Sequence, residues 1–320
     1  MTANPKLYMA PLRGFTERPF REAFSNHFSG IDVVLAPFIP LVEVAYINPS
    51  RLKDLLPPNE KLPVIPQVIG NSAEQIIQMA QELARRGFQE VNWNLGCPMP
   101  RITRKNRGSA LLQHPRELHH ILTAIFARIE VKFSIKTRLG FHDKSLLPEL
   151  MTLFSQFPLA SLTVHARIGE QRYSGETDPH ALRPFLPKFE HTPLIYNGDI
   201  VTPQDYSNLK ELMPSVSSWM LGRGLITNPF LGEWIKSGNR KWETQRFMAF
   251  YTDLNRRIEE SSDSAQIHLN RMKGYWTLFR LVYEDQKQIK ENIFQSRNKE
   301  SLLHNATKLI LHGTRTAPYR

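Results

Sequence analysis

The chain is poor in cysteine, with one residue, Cys97, in 320. A single thiol forms no internal disulfide, so the sequence excludes a small secreted domain stapled by disulfides. Long apolar runs are also missing, since no stretch approaches the roughly 20 residues that cross a bilayer. The first residues, MTANPKLYMAPLRG, lack the charged-then-apolar pattern of a signal peptide. Together these absences predict a cytoplasmic protein with no membrane segment.

The spacing that marks a metal site is absent as well. Cys97 has no second cysteine to act with it, and the 11 histidines show no clustered ligand pattern, so we expect no bound metal. No signature of a papain-type nucleophile surrounds Cys97 either.

Positive charge is what the chain has in excess. The formal net charge is +11, and the sequence pI is about 9.8. Residues 241–320 hold 14 lysines and arginines against 9 acidic residues, which makes this tail more densely basic than the rest. Such a balance favours a polyanionic partner, nucleic acid above all. A basic face that serves only solubility would give the same composition.

Eight short apolar runs alternate with helical stretches in the first 224 residues. The pattern predicts an α/β fold, a (β/α)8 TIM barrel, with a doubly wound open sheet as the alternative. After about residue 240 the strand-like runs stop and apolar residues recur at helical spacing. We therefore predict a catalytic barrel domain over 1–240 and a small all-helical domain over 241–320. The runs are KLYMAPL, DVVLAPFI, PVIPQVIG, EVNWNLG, VKFSIKTRLG, SLTVHAR, PLIYNGDI and SWMLGRG.

One of the intervening helices is predicted in detail. Ser72 and Gln75 have the spacing of a capping box at its start, and Gly87 supplies its stop. An apolar stripe between them is formed by Ile76, Ala80, Leu83 and Ala84.

Polar residues, glycines and one proline collect where the apolar runs end. In a barrel of this kind the carboxyl ends of all strands lie on one face, where the loops form the active site. Each residue has a structural explanation by itself, but the set should converge. Its members are Pro11, Gln67, Asn94, Cys97, Lys136, Arg138, His165, Arg167, Asn197, Asp199, Gly222 and Arg223.

The last two strands carry glycines at the usual phosphate position of such barrels, in NGD at 197–199 and LGRG at 221–224. They predict an anionic cofactor, unless they serve only turns with positive φ. Lys136 and His165, at the ends of the fifth and sixth strands, suggest contacts to an electron-rich ring. Alternatively, Lys136 pairs with a carboxylate and His165 is a satisfied structural residue.

The environment of Cys97 leaves its protonation state open. Cationic neighbours would lower its pKa and favour the thiolate, whereas burial would raise it and keep a thiol that donates a proton. An inert buried cysteine is the third interpretation. The neighbours in question are Arg101, Arg104, Lys105 and Arg107.

Six stretches taken in order resemble the motif series of the tRNA-dihydrouridine synthase family. The similarity runs from about residue 7 to 230, and the helical tail has the size that the family carries. The Asn-x-Gly-Cys-Pro context of Cys97 is the most diagnostic part. The stretches are MAPLRGFTERPFR, NLGCPMPRITRKNRGSALL, IKTRLGF, TVHAR, NGDI and LGRGLITNP.

The resemblance implies a flavin enzyme that binds FMN, takes electrons from NADPH and reduces the C5–C6 double bond of specific uridines in tRNA. Cys97 would protonate C5 while reduced flavin delivers hydride to C6. The implied cofactor residues are Pro11, Leu12 and Arg13 lining the flavin, Gln67, Lys136 and His165 on its ring, and Asn197, Gly198, Asp199, Gly222 and Arg223 on its phosphate. The tRNA-binding set is Asn94, Arg101, Arg104, Lys105, Arg107, Arg138, Arg167, Arg271 and Lys273.

Two positions depart from the family pattern. Leu12 stands where a second methionine is usual, a change that nearly conserves volume. Arg107 stands before a glycine where the family often has a small residue, which puts the conformation of that loop in question.

In the tail, we interpret Tyr275 and Trp276 as helix core. The candidates for phosphate contacts there are Arg256, Arg257, Arg271, Lys273 and Arg280.

Two other functions fit part of the pattern. A flavin barrel that reduces a small molecule, such as a free pyrimidine, leaves the basic loop and the helical tail unexplained. A tRNA-binding protein without catalysis leaves Cys97 and the flavin motifs unexplained. The sequence therefore favours the tRNA-uridine reductase, acting as a monomer, and does not identify which uridine is reduced.

Overall fold

The computed structural model describes residues 4–41, 52–55 and 61–316. Its parallel strands form eight staves, of which β2 and β3 each consist of two short segments. The staves are β1 (Lys6–Met9), β2 (Val33–Leu35 and Ile39–Pro40), β3 (Val64–Ile65 and Gln67–Ile69), β4 (Glu90–Leu95), β5 (Lys132–Arg138), β6 (Leu162–His165), β7 (Leu194–Asn197) and β8 (Ser218–Leu221).

The sheet closes on itself because β1 pairs with a strand on each side. Tyr8 is in register with Val33 of β2, and Leu7 with Trp219 of β8. Every other neighbouring pair of staves is also parallel. The predicted (β/α)8 barrel is confirmed, and the open doubly wound sheet is wrong.

Proline explains the break in β3. Pro66 separates its two segments and has no N–H to donate, although its carbonyl accepts from Asn92 N at 2.9 Å. The two segments of β3 pair with the two segments of β2, so the interruption is accommodated without opening the barrel.

Helices and 3₁₀ segments connect the staves. The α-helices are α1 (Arg18–His27), α2 (Ala73–Arg85), α3 (Pro100–Thr103), α4 (Pro115–Phe126), α5 (Leu147–Ser155), α6 (Pro203–Leu212), α7 (Arg223–Thr227) and α8 (Leu231–Ser237). Two 3₁₀ segments lie at Gly108–Gln113 and His180–Phe189.

Helix α2 follows the prediction with two corrections. Ser72 caps it by accepting from Gln75 N, and Gly87 lies beyond its end with φ +97°. The capping box is incomplete, however, since the buried Oε1 of Gln75 has no hydrogen-bond partner in the described chain. Ala84 is exposed and lies outside the apolar stripe, because the helix turns its buried face toward Ile77 and Met79.

The chain from Thr244 to His312 is largely helical, as the sequence predicts. The elements are α9 (Thr244–Glu260), α10 (Ala265–Phe279), a 3₁₀ turn (Arg280–Val282), α11 (Gln286–Ile289), a π-helical turn (Lys290–Phe294) and α12 (Lys299–His312). Tyr275 and Trp276 are buried, which confirms their interpretation as helix core. Among the described residues, no helix is long and apolar enough to span a membrane.

The helical tail packs on α1 of the barrel through aromatic rings. The ring of Phe250 lies 5.8 Å from that of Phe20 and 5.1 Å from that of Phe28, and Tyr275 stacks on Phe20 at 5.7 Å. Ion pairs surround these rings: Arg257 of α9 pairs with Glu22, and Arg246 of α9 pairs with Glu233 of α8.

Candidate active site

A chain of amide side chains crosses the barrel near the carboxyl ends of β3 and β4. Gln67 donates to Asn92 Oδ1 at 2.8 Å and accepts from Asn94 Nδ2 at 2.7 Å. Asn92 in turn donates to Ser134 Oγ at 2.9 Å. All four side chains are buried, and each is oriented by its neighbour. The result is a fixed polar floor beneath the loops.

Cys97 lies on the loop that follows β4 and is fixed there through its main chain. Its N–H donates to Asn94 Oδ1 at 2.8 Å, and its carbonyl accepts from both the N–H and the hydroxyl of Ser109 at 3.1 Å. Gly108 has φ +61°, and a Cβ at this position would lie 2.5 Å from the Cys97 carbonyl oxygen. The close approach of the two segments therefore requires glycine at 108.

Burial raises the pKa of the Cys97 thiol above its ordinary value. The Met99 N–H and the guanidinium groups of Arg138, Arg101 and Arg13 oppose this shift without overcoming it. The question that the sequence leaves open is thus decided in favour of the protonated thiol. A group of this kind donates a proton and is a poor nucleophile.

Lys136, near the end of β5, points into the same face. Its Nζ donates to Asn197 Oδ1 at 2.8 Å, and Asn197 Nδ2 donates to the Met220 carbonyl at 2.9 Å. Burial, reinforced by the charge of Arg138, lowers the pKa of Lys136 to about 7. Among the described residues its hydrogen-bond partner is the amide of Asn197 and no carboxylate pairs with it, so the alternative of a carboxylate partner is wrong. The ammonium group is available to interact with a ligand that bears electron-rich acceptors.

His165 ends β6 and is buried. Burial, followed by the charges of Arg138, Lys136 and Arg167, holds its pKa well below the usual range. The imidazole is therefore neutral at physiological pH. Its Nε2 accepts from Arg167 at 3.4 Å, which leaves the Nδ1–H to donate a hydrogen bond.

Two arginines of the predicted tRNA-binding set are buried in the protein instead of exposed. Arg138 and Arg167 are 3% and 2% exposed. Arg138 donates to three main-chain carbonyls, including that of Gly96 at 2.8 Å. Arg167 pairs with Asp199, which also accepts from Arg223 at 3.0 Å. These side chains brace the loops around Cys97.

The other predicted cofactor residues lie around this centre. Pro11, Leu12 and Arg13 follow β1, where Leu12 N donates to Thr16 Oγ at 2.7 Å and the exposed Arg13 lies over the Phe38 ring. Gly222 directly precedes α7, and a Cβ there would make an ordinary van der Waals contact with Ala10 at 3.7 Å, so a side chain would fit. Gly198 has no such room, because a Cβ would lie 2.3 Å from Tyr196 Oη.

The predicted tRNA-binding residues near the Cys97 loop differ in exposure. Arg101, Arg104 and Lys105 are exposed on α3 and the turn after it, next to the Cys97 loop. Arg107 turns inward and donates to Asn71 Oδ1 at 3.2 Å and to the Leu41 carbonyl at 2.9 Å, so it joins three loops.

Arg271 and Lys273 are not brought to the Cys97 loop. Arg271 donates to the Ser261 hydroxyl at 2.8 Å and pairs with Glu17 at 3.4 Å, and Lys273 donates to the Ser296 carbonyl at 2.6 Å. Both side chains hold the tail together or against the barrel.

Four residues of the site are missing from the sequence prediction. Asn92 precedes Asn94 by two and Ser134 precedes Lys136 by two, and alternation along a strand places each pair on one face, so that signal was present. Ser109 comes from a 3₁₀ segment and Tyr173 from a loop, and neither has a periodic signal. The rings of Tyr173 and His165 have their centroids 6.4 Å apart.

Among the described residues, no group of three or more His, Cys, Asp or Glu side chains is arranged to hold a metal ion.

Comparison with known proteins agrees with this geometry. A family model described as dihydrouridine synthase matches residues 8–313. A relative from Shewanella oneidensis, "tRNA-dihydrouridine(16) synthase", is 27% identical, with 88% of this chain and 90% of that protein covered. One of the same name from Neisseria meningitidis (strain Z2491) is 28% identical, with 73% of each covered.

Among solved structures, a morphinone reductase complex with tetrahydroNAD superposes with a TM-score of 0.51 at 12% identity, covering 73% of this chain and 86% of that one. A 2-naphthoyl-CoA reductase gives 0.53 at 12% identity, covering 73% and 50%. At such identity the likeness shows the barrel fold alone.

The family match, with this barrel and its polar mouth, defines a flavin-dependent oxidoreductase. Within that class, the chain belongs to the dihydrouridine synthase family.

Proposed function

We propose that the protein uses FMN and NADPH to reduce the C5–C6 double bond of a uridine in tRNA, with Cys97 as the general acid. The observation that carries the proposal is a half-buried thiol with a raised pKa, fixed on the loop after β4 beside Lys136. A proton held on sulfur at neutral pH is what protonation of a carbon atom requires.

The residues of the mouth fit the flavin. Lys136 presents a donor suited to the electron-rich edge of an isoalloxazine ring, and neutral His165 adds one more. Gln67 is fully buried and its amide bonds to Asn92 and Asn94, so its part is to hold the polar floor. Arg223, whose side chain is 41% exposed beside Asp199, suits a phosphate.

Bound FMN, reduced by NADPH, would supply the hydride for C6 of uracil. Cys97 Sγ gives its proton to C5, so that the double bond gains two hydrogens and the sulfur is left as thiolate. Arg138 and Arg101 favour that anion electrostatically until solvent returns the proton. Asn94, which fixes the Cys97 main chain, keeps the sulfur in place through the cycle.

The target base must leave its stack before it reaches a site at the barrel mouth. The exposed Arg101, Arg104 and Lys105, adjacent to the Cys97 loop, would hold the tRNA backbone while the base enters.

Position 16 is the first to test as the target. The Shewanella and Neisseria relatives are named for that position, and an alignment over 88% of this chain necessarily extends into the helical tail. We propose further that the enzyme acts in the cytoplasm as a monomer.

The test is anaerobic reduction with NADPH, followed by mixing with tRNA that lacks dihydrouridine while the visible absorption of the flavin is recorded. We expect tRNA to reoxidise the flavin and free uracil to leave it reduced. Cys97→Ala should reduce with NADPH normally but react with tRNA about 10²–10⁴-fold more slowly, the usual worth of a general acid.

Two results would contradict the proposal. Reoxidation by free uracil and not by tRNA would favour the small-molecule reductase, and protein that binds tRNA but no flavin would favour the binding protein.

A further inference from the structure

The loop after β6, residues 168–176, is held over the barrel mouth by arginines. The guanidinium groups of Arg138, Arg167 and Arg223 all donate to its main-chain carbonyls. The accepting carbonyls belong to Ile168, Arg172, Tyr173, Ser174 and Gly175, at distances from 2.6 to 3.4 Å.

The two halves of this loop are anchored differently. The first half is tied to the neighbouring loop by its backbone: Gly169 N donates to the Gly140 carbonyl at 2.9 Å, and Glu170 N to the Phe141 carbonyl at 3.1 Å. Within the described chain, residues 172–175 make hydrogen bonds outside the loop only with the three arginines. The conformation of the second half therefore depends on where these guanidinium groups lie.

The backbone of this half is also one that needs external support. Arg172 has φ +52°, a left-handed conformation that a residue with a side chain rarely adopts. Such a conformation persists only where surrounding contacts determine it. Here the contact is the bond from Arg138 to the Arg172 carbonyl, at 2.8 Å.

Asp199 is the carboxylate that two of the arginines share. Arg167 pairs with both of its oxygens, and Arg223 donates to Oδ1 at 3.0 Å. Because the Arg167 side chain is only 2% exposed, removal of the carboxylate would leave a buried charge without its counter-ion. Lys136 and Arg138 both lie close enough to His165 to lower its pKa, so the surroundings of Asp199 are otherwise cationic.

We propose that Asp199 is a positioning residue: by fixing Arg167 and Arg223 it keeps the 168–176 loop in place, with Tyr173 over the mouth. The Tyr173 ring centroid is 5.3 Å from the Arg223 guanidinium carbon and 5.8 Å from that of Arg138. Arg138 also donates to the Gly96 carbonyl beside Cys97, so one set of arginines joins the thiol loop to the Tyr173 loop. The inference rests on the proposed function only in that a target base enters beneath this loop.

Hydrogen exchange of the full chain, followed by mass spectrometry, tests the placement of the loop. The amides of Arg172 and Ser174 donate within the loop, so they report its integrity. Asp199→Asn should speed exchange in peptides covering 168–176 by tenfold or more. The control is Glu74→Gln, which also removes a carboxylate from an arginine, Arg128, but on the exposed outer surface. Unchanged exchange in a folded Asp199→Asn protein would overturn the proposal.

Arg223→Gln keeps the test informative if Asp199→Asn does not fold. The Arg223 side chain is 41% exposed and should tolerate replacement. Its loss removes the bond to the Tyr173 carbonyl, so we expect faster exchange confined to the same peptides. No change in this folded variant would also overturn the proposal.

Kinetics distinguish positioning from a general loss of structure. At saturating FMN, Asp199→Asn should raise KM for tRNA several-fold more than it lowers kcat, and Asp199→Glu should restore part of the loss. Equal effects on both constants, with no rescue, would show a merely structural role. Failure of the proposed function would appear separately, as wild-type protein that does not react with tRNA, while the exchange result would stand.

Discussion

Lys136 is a residue whose environment in the folded protein disfavours its charge, at a cost in stability that we attribute to function. Its ammonium group is buried among other cations and has an amide as its hydrogen-bond partner, which brings its pKa down to about 7. Removal of a charge from such an environment stabilises a protein.

We expect Lys136→Met to raise the free energy of unfolding of the flavin-free chain by about 0.5–2 kcal/mol and to abolish activity. The ordinary pKa of lysine is higher than the folded value, so the unfolded chain binds more protons between pH 7 and about 10. Stability of the wild type should therefore rise over that interval, and the gain from the substitution should be largest below pH 7 and shrink above it. Urea unfolding at several pH values measures this. A gain that grows with pH would contradict it.

The residue types at the strand ends could be predicted from the sequence. Which of these side chains are exposed and which form hydrogen bonds within the protein could not. Nothing in the sequence separates Arg138, whose donors are committed to main-chain carbonyls, from the exposed Arg101. That distinction depends on which loops lie across the mouth. Tyr173 is set there by arginines 35 and 50 residues distant in the chain, so no local pattern indicates it.

At the scale of elements, the loop carrying Cys97 depends on the 3₁₀ segment Gly108–Gln113. Gly108 combines a left-handed φ with a close approach to the Cys97 carbonyl. Both features disfavour a side chain, and they can be separated experimentally because Gly87 has the first without the second.

Gly108→Ala should lower the free energy of unfolding by about 1–3 kcal/mol more than Gly87→Ala does, because only the former forces a contact of 2.5 Å with backbone. Thermal melting of the two variants compares them directly. Activity should fall in Gly108→Ala and persist in Gly87→Ala. Equal melting temperatures would show that the Cys97 loop moves freely to make room.

The elements themselves were largely readable from the sequence. Apolar runs gave all eight staves, and the tail periodicity gave α9, α10 and α12. The segment Gly108–Gln113 and α11 escaped prediction because they are too short for a helical period to repeat. The segment His180–Phe189 escaped it because Pro184 and Pro187 interrupt the helical pattern. The split of β3 was present in the sequence as Pro66, whereas the matching split of β2 follows only from its pairing.

At the scale of the whole molecule, the excess of positive charge is concentrated in part at the Cys97 loop. Arg101 and Arg104 are exposed there, and Arg183 and Lys188 are exposed on the segment that leads into β7. Substitution of each pair can therefore show whether tRNA binding depends on positive charge near Cys97 or on the net charge of the protein.

Replacing Arg101 and Arg104 by Gln should weaken tRNA binding and reduce the slope of log K against log salt by up to about two, since each lost phosphate contact removes about one. Titration over a range of salt concentrations measures it. The double Gln variant of Arg183 and Lys188 serves as the control. An equal loss of slope in both would mean that only net charge matters.

The aromatic contact between tail and barrel should make them unfold together. Phe250 is fully buried against Phe20 and Phe28. We expect one calorimetric transition, and Phe250→Ala should lower the free energy of unfolding by about 3–5 kcal/mol. The matched control, Ile267→Ala, removes a side chain that is 43% exposed in the same tail and should change it little. Two separate transitions in the wild type would show that the tail is independently stable.

The pairing of β1 with β8 also constrains the order in which the molecule folds during synthesis. The strand of Leu7 gains its second neighbour only after Trp219 has been synthesised. The phenylalanines of α1 are covered later still, when α9 and α10 have formed. Contacts so distant in sequence form slowly. A chain released early by the ribosome would therefore display an uncovered aromatic helix, a surface that invites aggregation or proteolysis. Folding of α9 and α10 onto α1 thus removes this surface.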